Sequence, residues 1–152
     1  MSPNGTSGPC SETASRATAT SYAAGVDKKD PELLLSAFHP DGRLSDPYND
    51  ATQVGHDQIR GVLGMLAKFV TTYHIVGNTR YDIDGDTATG EAYCLAHKIL
   101  PDAQAIVGAV RYQDKYSRRN GEWRLDDRTV IIDWTRTDTV SLNAAGTEIV
   151  GA

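Results

Sequence analysis

Cysteine is scarce in this chain, long apolar runs are missing, and basic residues are outnumbered. Cys10 and Cys94 are the 2 cysteines. They make no CxxC or metal-ligand spacing, which points to a reduced cytoplasmic protein rather than a disulfide scaffold. No apolar stretch approaches the ~20 residues that cross a bilayer, and no charged-then-apolar leader opens the chain. Lys and Arg number 15 against 20 Asp and Glu, a net charge of −5, which argues against a nucleic-acid surface. The 4 histidines show no HxH, HExxH or His–Cys cluster. No glycine-rich loop cradles a phosphate, and no Ser or Cys stands in a nucleophile elbow. No cofactor and no metal are therefore expected. Any chemistry falls to ordinary acid–base side chains.

What is present is one domain. Its 152 residues, 39% apolar and 23% charged, are enough to bury a core unaided. Residues 1–10, rich in Ser, Gly, Pro and Asn, read as a disordered tail. Residues 11–137 read as the folded domain, and 138–152 as a polar C-terminal arm. A first helix from about Ser11 turns Ala14, Tyr22, Ala23 and Val26 inward and ends near Asp27. Asp30-Pro31 opens a second, with an N-cap followed by proline. It carries Leu33, Leu34, Leu35 and Phe38, and stops at His39-Pro40.

Arg43–Asp46 reads as a short strand and Pro47–Gly55 as a loop. Ile59, Val62, Leu63, Leu66 and Val70 then fall at helical spacing, which predicts one amphipathic helix. Everything beyond Val70 reads as strand, with turn signals at Asp84-Gly85, Pro101-Asp102 and Asn120-Gly121. Helices first and a four-strand meander after them imply an α+β domain, its helices on one face of a curved, mostly antiparallel sheet.

Two residues suggest chemistry. Asp27 stands at a helix C-terminus, where the dipole disfavours a carboxylate and a compensating partner is needed. His74 lies inside the β-branched run Thr71-Thr-Tyr-His-Ile-Val76. A carboxylate bonded to one imidazole nitrogen fixes the tautomer and leaves the other nitrogen to accept a proton near neutral pH. On residues alone, a satisfied core histidine is the favoured reading of His74.

Gly25-Val26-Asp27, the Asp84-Gly85 turn, Gly90-Glu-Ala-Tyr-Cys-Leu95 and Tyr116-Ser-Arg-Arg-Asn-Gly-Glu-Trp123 followed by Arg128 resemble the SnoaL-like branch of the nuclear transport factor 2-like superfamily. The resemblance covers about Glu12 to Thr137. It implies a cone-shaped α+β barrel with a deep pocket between sheet and helices. Within the branch the pattern is most similar to that of hexachlorocyclohexane dehydrochlorinase. Bile acid 7α-dehydratase and scytalone dehydratase are more distant relatives. All three are cofactor-free lyases with an Asp-oriented His. The resemblance thus implies His74 as base, Asp27 as its orienting acid, and Arg128, five residues after Trp123, as a pocket cation. Where the dehydrochlorinase has a lysine, five residues before the Asp, this chain has Tyr22, as in the bile acid enzyme.

Several assignments follow. Arg128 is either a buried cation that stabilises developing charge or a surface residue paired with Asp126 or Asp127. Tyr22 is either core packing or a phenol that protonates a leaving group. Leu63, Leu66, Ala92, Cys94, Val110 and Ile132 are expected to wall an apolar pocket. Strand parity turns His97 away from it, while Asp46 falls near its mouth. His39 and His56 read as surface or capping residues. The expected function is a dehydratase-like lyase acting on a hydrophobic cyclic, polyketide- or steroid-type small molecule. An isomerase or cyclase using the same dyad, or a non-catalytic binding module, is the alternative. Tyr93, Leu95, Ile99, Tyr112 and Tyr116, placed on the convex sheet face, predict a homo-oligomer, either dimer or trimer.

Overall fold

The computed structural model describes residues 11–143. The expected N-terminal tail and most of the expected C-terminal arm lie outside the described residues. Helix α1 (Ser11–Asp27) and helix α2 (Pro31–Ser36) lead into strand β1 (Phe38–Asp46). A 3-10 turn (Pro47–Asn49), strand β2 (Ala51–Val54), and helices α3 (Gly55–Arg60) and α4 (Val62–Met65) follow. Strands β3 (Thr71–Asp84), β4 (Thr87–Ile99), β5 (Gln104–Arg119) and β6 (Glu122–Thr139) complete the order. The six strands form one open sheet, β2-β1-β6-β5-β4-β3. It is antiparallel except where β1 runs parallel to β6. The architecture is α+β, as expected, and the sheet does not close on itself.

Local chemistry explains the turns. Asp30 caps α2 by accepting from the Leu33 N–H at 3.1 Å, with Pro31 behind it. Lys29 sits at φ 52 and ends α1. At Gly25 a Cβ would collide with the Leu34 backbone, so glycine lets α2 cross the last turn of α1 closely. Asn120 and Gly121 both have positive φ, 52 and 80, the geometry that suits a two-residue hairpin between β5 and β6.

Three expectations change. Phe38 is not helical but opens β1, because β1 pairs with β6 from Phe38↔Leu125 onward. The Pro47–Gly55 stretch contains β2 rather than only loop. The single helix expected over Ile59–Val70 is two short ones. Gly61 and Gly64 bond three residues back, to Gln58 and Gly61, and glycine is costly in a helix interior. Val70 has left the helix, and its N–H bonds the Ile99 carbonyl at 2.8 Å.

The strands alternate as the expected parity requires on β4. Ala88, Ala92, Cys94 and Ala96 are buried, while Tyr93 and Leu95 are exposed. Ile99, Tyr112 and Tyr116, expected on the outer face, are buried instead. Tyr116 lies directly across from Ala88, and Tyr112 across from Ala92. Opposed residues share a face, so the tyrosines fill the space that the alanines leave. On the outer face Tyr93 and Leu95, as expected, are joined by Tyr73, Ile75 and Trp134, all between 44% and 62% exposed. Ile75, Leu95, Ala109 and Trp134 form one row across four strands.

Candidate active site

A cavity of about 390 Å³ lies between the helices and the sheet. Its inner wall includes Tyr22 from α1, His74 from β3, Ala96 from β4, and Val110 and Tyr112 from β5. Tyr48 and Met65, both exposed, stand at its rim.

His74 reaches this cavity while its side chain stays mostly buried. Its Nδ1 lies 2.6 Å from Asp27 Oδ1. The same carboxylate accepts from the Thr72 hydroxyl and from the His74 backbone N–H, each at 2.8 Å. Burial pushes the Asp27 carboxyl up, but hydrogen bonds from the His74 ring and backbone and from Thr72 outweigh it. The net effect holds Asp27 below the usual carboxylate range. The helix-end carboxylate thus has three donors. His74 Nε2 takes no hydrogen-bond partner among the described residues and is left for the cavity.

Tyr22 is a core residue that also forms part of the cavity wall. Its ring packs edge-on against Phe38 and Tyr112, with centroids 6.1 and 5.5 Å away. Burial dominates its phenol and pushes it up to about 12, with Arg128 pulling the other way.

Arg128 is wholly buried. It is not a surface residue, and Asp126 and Asp127 are not its partners. Its Nε and Nη2 donate to the two oxygens of Asp114 at 2.8 and 2.7 Å, and Tyr116 donates to the same carboxylate at 2.8 Å. The guanidinium lies 4.5 Å from the Tyr22 ring centroid and 4.1 Å from that of Tyr112. Burial alone would lower its pKa. The Asp114 carboxylate and its hydrogen bonds more than offset this, so Arg128 stays charged. It stands behind the tyrosines and does not line the cavity.

Of the expected walls, Leu66, Val110 and Ile132 line the cavity. Leu63, Ala92 and Cys94 do not. Ala92 and Cys94 are core residues and Leu63 packs against that core. For Ala92 and Cys94 the reason is Tyr112, which stands opposite Ala92 and against the Cys94 thiol and fills the space beside both. Asp46 lines the cavity and His97 does not. His39 is buried, its Nε2 2.9 Å from the Ser117 carbonyl, so it is no surface residue. His56 Nε2 sits 3.0 Å from the Phe38 carbonyl. Sequence reasoning missed Asp114, Tyr112, Lys68 and Lys98. Asp114 shares the parity of Tyr112 and Tyr116, which the sequence pattern placed outward, so its inward position became legible only with the β4–β5 register. Among the described residues no group of His, Cys, Asp and Glu is arranged to hold a metal ion, and no helix is long and apolar enough to cross a membrane.

The comparisons with known proteins come to the same fold. A hexachlorocyclohexane dehydrochlorinase superposes with a TM-score of 0.78 at 21% identity, covering 85% of this chain and 89% of that one. A protein of Novosphingobium aromaticivorans assigned as a scytalone dehydratase gives 0.75 at 21%, covering 86% and 89%. A Mycobacterium tuberculosis protein of unknown function gives 0.72 at 24%, covering 85% and 78%. No curated protein matches the sequence. The SnoaL-like domain family matches residues 10–129. With that match spanning most of the chain, and the fold agreeing with it, the protein belongs to the SnoaL-like branch of the nuclear transport factor 2-like superfamily.

Proposed function

We propose that this protein is a cofactor-independent, dehydratase-like lyase acting on a hydrophobic cyclic small molecule of polyketide or steroid type. The observation that carries the reading is the imidazole in the cavity wall, held through Nδ1 by Asp27 and unbonded at Nε2. An imidazole so oriented has one nitrogen fixed by the carboxylate and the other free to take a substrate proton.

In this reading His74 Nε2 removes a proton from a carbon next to a carbonyl. The electron pair forms the new C=C bond as the C–O bond to a β-hydroxyl breaks. Tyr22 gives its phenolic proton to the departing oxygen, releasing water. A phenol at about 12 remains a stronger acid than water, at about 15.7, so the transfer is downhill. Proton transfer from the His74 imidazolium to the Tyr22 phenolate then restores both groups as the product leaves. Arg128 acts from behind: its charge and planar face hold Tyr22 and Tyr112 in place, with Asp114 fixing its orientation. That makes Arg128 a positioning residue.

The similarity to dehydratase and dehydrochlorinase folds supports a lyase, and the apolar walls Val110, Val130 and Ile132 favour a hydrophobic substrate. The test is a panel of β-hydroxy cyclic ketones, followed by mass spectrometry for loss of water. Wild type should turn over at least one of them, and His74→Ala should do so at least about 10²-fold more slowly. Equal conversion by both proteins would sink the proposal.

A further inference from the structure

Phe69 is ringed by lysines. Lys68 Nζ lies 5.2 Å from its ring centroid and Lys98 Nζ 5.7 Å, and both residues line the cavity. Neither ammonium has a carboxylate within ion-pair distance among the described residues. A third lysine, Lys29, donates to the Phe69 carbonyl at 3.3 Å and does not line the cavity. Asp46 is the one acid in the cavity wall. Its two oxygens accept from the Asn49 backbone and side chain at 3.2 and 2.6 Å.

Two cations against one anion leave a net positive charge in this part of the wall. Lys98 is half-buried, whereas Lys68 is exposed. Burial draws its ammonium below the usual lysine range, Asp46 partly offsets this, and Lys68 adds to it. A half-buried cation without a close partner is costly, and a bound anion would relieve that cost. Position along the sheet gives the anion a direction. His74 faces Ala96 across β3 and β4, and Lys98 is the next inward residue of β4, about 7 Å further along the strand.

We propose that the cavity takes an amphipathic monoanion, a carboxylate, with its charged end on Lys98 and Lys68 and its apolar rings directed inward to His74. The local charge favours a monoanion over a phosphate dianion. The inference rests on the proposed function only in taking this cavity as the substrate's.

The test uses two probes of one shape, 2-naphthoate and neutral 2-naphthamide, titrated into the full chain by calorimetry. Naphthoate should bind about 10-fold tighter, the worth of one charge-assisted hydrogen bond, and added salt should erode that preference. Lys98→Met with Lys68→Met should abolish the preference while the amide binds as before, and Lys98→Arg should keep it. Amide binding equal to naphthoate in the wild type overturns the proposal. So does a preference that survives in the double variant, or no naphthoate binding at millimolar concentration. His74→Ala should retain the preference. Failure of the anion site and failure of the base are therefore read separately, one in binding and the other in turnover.

Discussion

Asp114 and Arg128 are register partners on β5 and β6, joined by two hydrogen bonds of 2.8 and 2.7 Å with neither side chain exposed. Removing one member of a buried ion pair strands the other charge and costs about 3–5 kcal/mol. Asp114→Asn should therefore lower stability by that order in urea denaturation. Arg128→Lys should also be damaging, because a point charge cannot supply two parallel bonds to one carboxylate. A loss below about 1 kcal/mol in both variants, the scale of an exposed pair, would show the pair to be energetically idle.

His74→Ala should cut kcat by about 10²–10⁴, the usual worth of a general base, while leaving ligand affinity nearly unchanged. Asp27→Asn should keep the fold and still lose most activity. Asp27 accepts from three donors, and an amide offers one oxygen, so the ring can be held in the wrong tautomer. Unchanged kcat in Asp27→Asn would remove Asp27 from the mechanism.

The pH dependence of stability has a definite sign at both ends. Asp27 is held below its ordinary value, so its contribution is present above the unfolded carboxylate pKa and lost as pH falls through the lower folded value. Tyr22 is raised to about 12. Its contribution is complete below the unfolded tyrosine value and lost as pH rises through the folded one. Asp27→Asn should accordingly flatten the acid limb of a denaturation profile, and Tyr22→Phe the alkaline limb. The opposite assignment of limbs would contradict the geometry.

Tyr22→Phe also separates two chemistries. An elimination that draws its acid from Tyr22 should slow by about 10²-fold or more. An isomerisation that returns the proton through His74 should hardly change. Product analysis and kcat on the same substrate decide between them.

The row Ile75, Leu95, Ala109 and Trp134, with Tyr73 and Tyr93 beside it, is a large apolar face for a single chain. We expect a homo-oligomer that covers it. Light scattering should give a multiple of 16.4 kDa, and Trp134→Glu with Ile75→Glu should return the monomer. A monomeric wild type at micromolar concentration ends this expectation.

The local pattern of the sequence already determined most of the elements. Asp30-Pro31 dictated a helix start and Asn120-Gly121 a tight hairpin, because capping and positive φ are decided within a few residues. Alternation along β4 was equally local, and it correctly turned Tyr93 and Leu95 outward. The proximity of Asp27 and His74 was legible only because a helix-end acid and a strand histidine also matched a family pattern. Their 2.6 Å separation depends on α1 crossing β3, a long-range fact. What lies across a strand is likewise absent from the strand itself. Only the β4–β5 register set Tyr112 against Ala92 and Tyr116 against Ala88, took Ala92 and Cys94 out of the cavity wall, and gave Arg128 its partner in Asp114. Patterning specifies which side of an element is buried. Tertiary pairing specifies what it is buried against, and that second choice shaped the cavity.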